Sequence, residues 1–182
     1  MPLLDMEDEM RNRSLKLFIN EKNIVLRTSD SAAQAAAAML AAGVGCVILA
    51  DHDGHLSGIV TDRDLACRLA SPDFDRQTKL GTISSGELYF LTPEQSIDDA
   101  VSLMMEKEVR RLPILEGQRG GRQRCVGLVT VDDLLAGRLA SPRKLSQIVR
   151  AQNDRLAFRH GRRPRGIWAA GAALFWPYWL MD

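Results

Sequence analysis

The chain has 182 residues, 46% of them apolar and 26% charged, which suits one compact soluble module with appendages. Cys46, Cys67 and Cys125 are odd in number and lack CxxC spacing, which argues against a disulfide framework or zinc site and for a reducing, intracellular setting. The net charge of +1 divides unevenly: residues 1–142 hold 16 Lys/Arg against 21 Asp/Glu, and residues 143–182 hold 8 against 2.

Residues 1–14 read as a polar arm, acidic at its start and without the long apolar run of a secretory signal. A first unit occupies 15–72. Its β-branched run at 24–26 predicts a strand. Thr28, Ser29, Asp30 and Ser31 supply cap chemistry for an Ala-rich helix over 32–42, which Gly43 ends. Residues 46–50 form a buried-type strand, and Asp53-Gly54 turns it into a partner strand over 56–60. A helix opens at Thr61 and runs to about Leu69, with Pro72 closing the unit.

A second unit, 73–142, repeats that order. A strand is expected over 88–91, a helix from Ser96 to near Val109, strands over 112–115 and 125–129, and a closing helix from near Thr130. The duplication is written in the residues themselves. Gly58-Ile59-Val60-Thr61-Asp62-Arg63-Asp64-Leu65 returns as Gly127-Leu128-Val129-Thr130-Val131-Asp132-Asp133-Leu134, and both copies continue into Arg-Leu-Ala-Ser-Pro. The second hairpin is longer by four residues, counted from Ser31/Ser96 to Gly58/Gly127. Duplicated units of this size bury their apolar faces against each other.

The repeated Thr and Asp carry a definite chemistry. The Thr stands at a helix N-terminus, where free N–H groups and the dipole attract phosphate. The Asp three residues on projects from the same face and suits the two hydroxyls of a ribose. Thr-x-x-Asp is also a good N-terminal cap, which is the bland alternative.

Two copies of Gly-hydrophobic-Val-Thr-x-x-Asp, on strand–helix–strand–strand–helix units over roughly residues 15–141, resemble a pair of CBS domains, the family named from cystathionine β-synthase. The resemblance implies an α/β fold of two repeats packed face to face as a pseudo-two-fold module, and a homodimer. It also implies binding of an adenine nucleotide (AMP, ADP or ATP) or S-adenosylmethionine, with Thr61 and Asp64 in one site and Thr130 and Asp133 in the other. Arg63 is placed to hold a phosphate with its guanidinium fork. The second copy has Val131 in the place of Arg63, so the two sites are not equivalent and the first is expected to be the more anion-competent. Arg110 and Arg111 are further phosphate candidates, with an exposed edge-strand charge as the alternative. Val25 and Tyr89 are candidate walls for a base, or plain core.

His52 and His55 flank the hairpin turn but have no third ligand at suitable spacing, so no metal is expected. No Walker, GxGxxG, GxSxG or HExxH motif and no acid–base pair is present, so no enzyme or cofactor is read. Residues 143–182 start as an amphipathic helix with Leu145, Ile148, Val149 and Leu156 on one side. The basic run 159–165 and the apolar, Trp-rich run 167–181 follow. A helix over 167–181 spans about 22 Å, short of the roughly 30 Å hydrocarbon core, and contains Pro177. Docking on the module, on a protein partner or at a membrane surface all suit this composition, with nucleic acid the least supported partner. The expected setting is cytoplasmic, with peripheral membrane association resting on 159–182 alone. The expected role is a ligand-binding regulatory module, the alternative being a ligand-free interaction module acting through dimerisation and the tail.

Overall fold

A computed structural model describes residues 14–19, 23–69, 74–84, 87–118 and 121–159. The expected N-terminal arm up to Arg13, the Ser71-Pro72 close of the first unit and the Trp-rich end lie outside the described residues. The first repeat is built from β1 (Val25–Arg27), α1 (Ala32–Ala42), β2 (Cys46–Ala50), β3 (Leu56–Thr61) and α2 (Asp62–Leu69). Its sheet runs β1-β2-β3, with β1 parallel and β3 antiparallel to β2. Ser31 caps α1 reciprocally with Gln34, satisfying two otherwise orphaned groups of the first turn. Gly43 ends the helix at φ 64°, the left-handed region where glycine has no Cβ to clash.

Next come α3 (Leu80–Ile83), α4 (Ile97–Lys107), β4 (Arg111–Gly117), β5 (Gln123–Thr130) and α5 (Val131–Ala136). Last is α6 (Pro142–Arg159). Pairing of Cys46 with Thr61 and of Arg111 with Thr130 puts the two motif threonines at equivalent sheet corners. In both hairpins the register slips beside the motif glycine, at Leu49/Ala50 opposite Gly58 and at Ile114/Leu115 opposite Gly127. The four extra residues of the second copy mainly lengthen its ladder. β4 and β5 have 7 and 8 residues where β2 and β3 have 5 and 6, and Arg124 pairs with Glu116 at 3.1 Å on the added rungs.

The strand expected over 88–91 is reduced to a single parallel bridge, Leu91 to Ile114. The reason is Pro113. In the first repeat the Ile48 N–H donates to the Ile24 carbonyl at 2.9 Å and carries the ladder one step back. Proline stands at the equivalent position of β4 and has no N–H to give, so pairing stops at Leu91.

The leading segment of each repeat crosses to the other. A 3-10 turn, Leu15–Phe18, precedes the first repeat but packs on the second. Leu15 N donates to Gln95 O at 2.9 Å, Ser14 Oγ donates to Pro93 O at 2.6 Å, and Ile19 bridges Gly127. Conversely α3, which precedes the second repeat, packs on the first. Leu80 N donates to Asp30 O at 2.8 Å and Gly81 N to Thr28 O at 2.9 Å. Leu15 is fully buried in the core of the second repeat, and Leu80 and Ile83 in that of the first. Each such side chain buried contributes roughly 1.5–3 kcal/mol, so the crossing ties the two cores together.

Small side chains of α1 (Ala32, Ala35) let that helix lie close on Val47, Leu49 and Val60. The second core is larger and takes Leu145 and Ile148 from α6, an element outside the duplicated pattern. Lys144 adds an ion pair to Asp98 of α4 at 3.1 Å. Glu108 occupies the position equivalent to Gly43 and sits at φ 55°. The left-handed region costs an L residue about 1–2 kcal/mol, and glycine's extra freedom in the unfolded chain offsets part of any gain. Glu108→Gly is expected to stabilise the protein by about 0.5–1 kcal/mol, read as a raised urea midpoint. Among the described residues, no helix is long and apolar enough to cross a membrane.

Candidate functional site

Both copies of the motif turn from strand to helix at the threonine. Thr61 Oγ1 donates to Asp64 Oδ2 at 2.6 Å and accepts from Asp64 N at 3.2 Å, while Thr61 N donates to the same Oδ2 at 2.9 Å. The second copy reproduces this at 2.7, 3.1 and 2.9 Å. Each Thr–Asp pair is therefore a closed capping box. The cap uses one carboxylate oxygen. Oδ1 of each aspartate makes no hydrogen bond among the described residues and is left to meet a hydroxyl. The two settings differ in burial, since Asp64 is half-buried and Asp133 exposed. They also differ in helix length: α2 has 8 residues and α5 only 6.

Thr61, Asp62 and Arg63 of the first repeat, Arg110, Arg111 and Asp132 of the second, and Gln152 of α6 line a cleft of about 280 Å³ between the repeats. The strand registers fix the equivalences. Arg111 occupies the position of Cys46, Arg110 that of Gly45, and Asp132 that of Arg63. The comparison of Arg63 with Val131 is thus off by one: Val131 matches Asp62, and the arginine is matched by an acid. The cation cluster is asymmetric by construction, with one guanidinium from the first repeat and two from the second.

Arg111 reaches across to the first repeat. Its NH1 donates to Gly45 O and lies 3.7 Å from Asp62 Oδ1. Gly45 leaves room for this, because a Cβ there would stand 3.2–3.3 Å from Asp62 Oδ2 and the Arg111 guanidinium. Arg110 turns instead to α6, donating from Nε to Gln152 Oε1 and from NH2 to Asn153 Oδ1 at 3.5 Å. Partial burial holds the Arg110 guanidinium below its ordinary pKa. Repulsion from Arg63 and Arg111 adds to this and outweighs the opposing pull of Asp132. The Arg63 guanidinium makes no hydrogen bond among the described residues. The cleft lining thus sets three guanidinium groups against two carboxylates, Asp62 and Asp132, a residual positive charge suited to an anion.

Of the residues singled out by sequence, Thr61, Arg63, Arg110 and Arg111 come together here. Asp64, Thr130 and Asp133 do not line this cleft. Val25 is 44% exposed and Tyr89 packs on the second core with Lys107 5.3 Å above its ring, so neither lines it. Asp62 and Asp132 were legible as the variable positions of the motif. Gln152 carried no signal, since it sits beyond the repeats on a helix that pattern reasoning treats as a linker.

His52 lies in the exposed turn, where Asp51, His52 and Asp53 offer ligand atoms within 4.8 Å of one another. Asp51 Oδ1 already accepts from the N–H groups of Asp53 and His55 at 3.0 and 2.8 Å, which is a turn function. Burial pushes the Cys125 thiol up to about 11 and raises that of Cys46 despite the nearby Arg111, whereas Cys67 is exposed. A thiol reagent at neutral pH is expected to modify Cys67 rapidly and the other two only on unfolding, checked by mass spectrometry before and after urea.

Two pseudo-symmetric αβ repeats with crossed leading segments and a polar cleft between them define a tandem small-domain module. The CBS domain model matches residues 13–71 and 80–139, and the chain belongs to that family. It is 33% identical over 108 residues to CBS domain-containing protein YhcV of Bacillus subtilis, covering 59% of this chain and 73% of that one. The fold is similar to that of the CBS domain pair of protein MJ0100, in complex with 5′-methylthioadenosine and S-adenosyl-L-methionine. That match has TM-score 0.59 and 21% identity, and covers 69% of this chain and 99% of the other. The CBS domain protein PAE2072 from Pyrobaculum aerophilum, complexed with AMP, matches with TM-score 0.59 and 15% identity, covering 75% and 98%.

Proposed function

We propose that this chain is a regulatory module that binds an adenine nucleotide or adenosyl compound between its repeats and signals by changing how they sit together. The observation that carries this is the convergence of Thr61, Arg63, Arg110 and Arg111, drawn from both repeats, on one cleft. A ligand anchored on both sides favours one relative placement of the repeats over others, which is the physical requirement for a sensor. The AMP complex of PAE2072 and the adenosyl complexes of the MJ0100 pair support the ligand class. In this reading Asp64 serves the ribose, Arg63 and Arg111 the phosphate, and Thr130 with Asp133 a second, weaker site.

A homodimer belongs to the same proposal, with the outward Leu40 of α1 (86% exposed) and Leu135 of α5 (58%) as contact residues. The closed capping boxes favour a second reading, an interaction module whose Thr–Asp pairs are structural only. Calorimetric titration of the full chain with AMP, ADP, ATP and S-adenosylmethionine separates the two. Saturable binding to any of them is the expected result, and no heat or stabilisation with all four hands the case to the interaction module.

A further inference from the structure

Helix α6 lies outside the duplicated pattern, yet it supplies a wall of the cleft. Its first half is fixed: Leu145 and Ile148 are buried in the second core, and Lys144 pairs with Asp98. One turn beyond Ile148, Gln152 and Asn153 turn their side-chain carbonyls to Arg110. The groups they take, Nε and NH2, form the edge of the guanidinium that grips a phosphate bidentately. Two neutral amide oxygens, that of Gln152 on the cleft wall and that of Asn153 beside it, therefore occupy the edge of Arg110 that would otherwise meet an anion.

We infer that Gln152 and Asn153 act as internal substitutes for a phosphate, and that a phosphate-bearing ligand displaces them from Arg110 and frees the far half of α6. This rests on the proposed binding of a ligand in the same cleft. Phosphate oxygens add a full charge–charge attraction to the guanidinium that neutral amide oxygens lack, so they win the fork from the amides. The gain is larger because the nearby Arg63 and Arg111 share the same anion. Released from Arg110, the stretch after Ile148 loses the polar tether that it has to the cleft, and its helical hydrogen bonds open more readily. A ligand without phosphate leaves the tether in place.

Hydrogen exchange of the full chain, alone and with ATP, pyrophosphate, adenosine or S-adenosylmethionine, tests this. The expected result is faster exchange over residues 150–159 with ATP and no change over 142–149. Adenosine and S-adenosylmethionine are expected to leave both stretches alone. Acceleration by pyrophosphate as well assigns the displacement to phosphate from any source, and acceleration by ATP alone makes the nucleoside the anchor; both support it. ATP binding with exchange over 150–159 unchanged or slowed overturns the inference and leaves the proposed function standing. Binding of S-adenosylmethionine but of no phosphate ligand has the same effect. Binding of none of them overturns both. Replacing the substitutes, Gln152→Ala with Asn153→Ala, is expected to tighten ATP binding about tenfold while lowering the melting temperature. A purely structural role predicts the lower melting temperature without tighter binding, and that outcome also rejects the inference.

Discussion

Gly127→Ala is expected to destabilise the protein by about 2–3 kcal/mol, and Gly58→Ala by less than about 1 kcal/mol, although the two glycines are motif equivalents. A Cβ on Gly127 would stand 2.5 Å from the carbonyl oxygen of Phe18 and 3.1 Å from Ile114 Cδ1. The first of these is backbone, held by a 3-10 turn whose Leu15 is fully buried and whose Leu15 N is bonded to Gln95. Relieving the clash means lifting that segment off the second repeat and exposing Leu15, so little relaxation is available. At Gly58 the close atom is Ser84 Oγ at 2.4 Å, which moves away by a χ1 rotation. Urea denaturation of both variants measures the difference. Equal losses would mean that the strand irregularity, which both copies share, sets the need for glycine, and not the crossing segment.

That asymmetry shows what sequence could and could not disclose. The duplication, α1 with its Gly43 stop, the hairpins and the threonine corners were readable because local rules decide them: periodicity, cap chemistry and a turn dipeptide. The crossing of the leading segments was not readable. Both copies present the same glycine beside the same register slip, so nothing local says which leader docks where. The strand expected over 88–91 failed for a non-local reason, a missing donor at Pro113 on its partner. Within the site, Thr61, Arg63, Arg110 and Arg111 were picked from motif position and charge. Their convergence depends on the repeats meeting face to face. Gln152 enters through the packing of Leu145 and Ile148, which rotates α6 so that a polar residue one turn on reaches the cleft.

Asp64→Ala and Asp133→Ala form the sharpest test of the lopsided site, because the fold supplies its own control. The two capping boxes have matching distances, so each substitution removes the same carboxylate contacts to a threonine N–H and hydroxyl. Both variants are expected to lose about 1 kcal/mol of stability. Their ligand binding is expected to diverge. Asp64 does not line the arginine-bearing cleft but is the next residue after Arg63, which does, whereas Asp133 follows Asp132, an acid where the first copy has Arg63. In the proposed reading, an anion held by Arg63 and Arg111 has its sugar on the Asp64 side of the motif. Losing a charged hydrogen-bond partner there is expected to weaken nucleotide binding by about tenfold or more, against less than about threefold for Asp133→Ala. Calorimetry on both variants beside their melting curves reads the two quantities separately. Equal weakening would make the pair of sites equivalent despite their charges. Equal melting with intact binding in both would return the aspartates to capping alone and move the ligand's sugar to other residues.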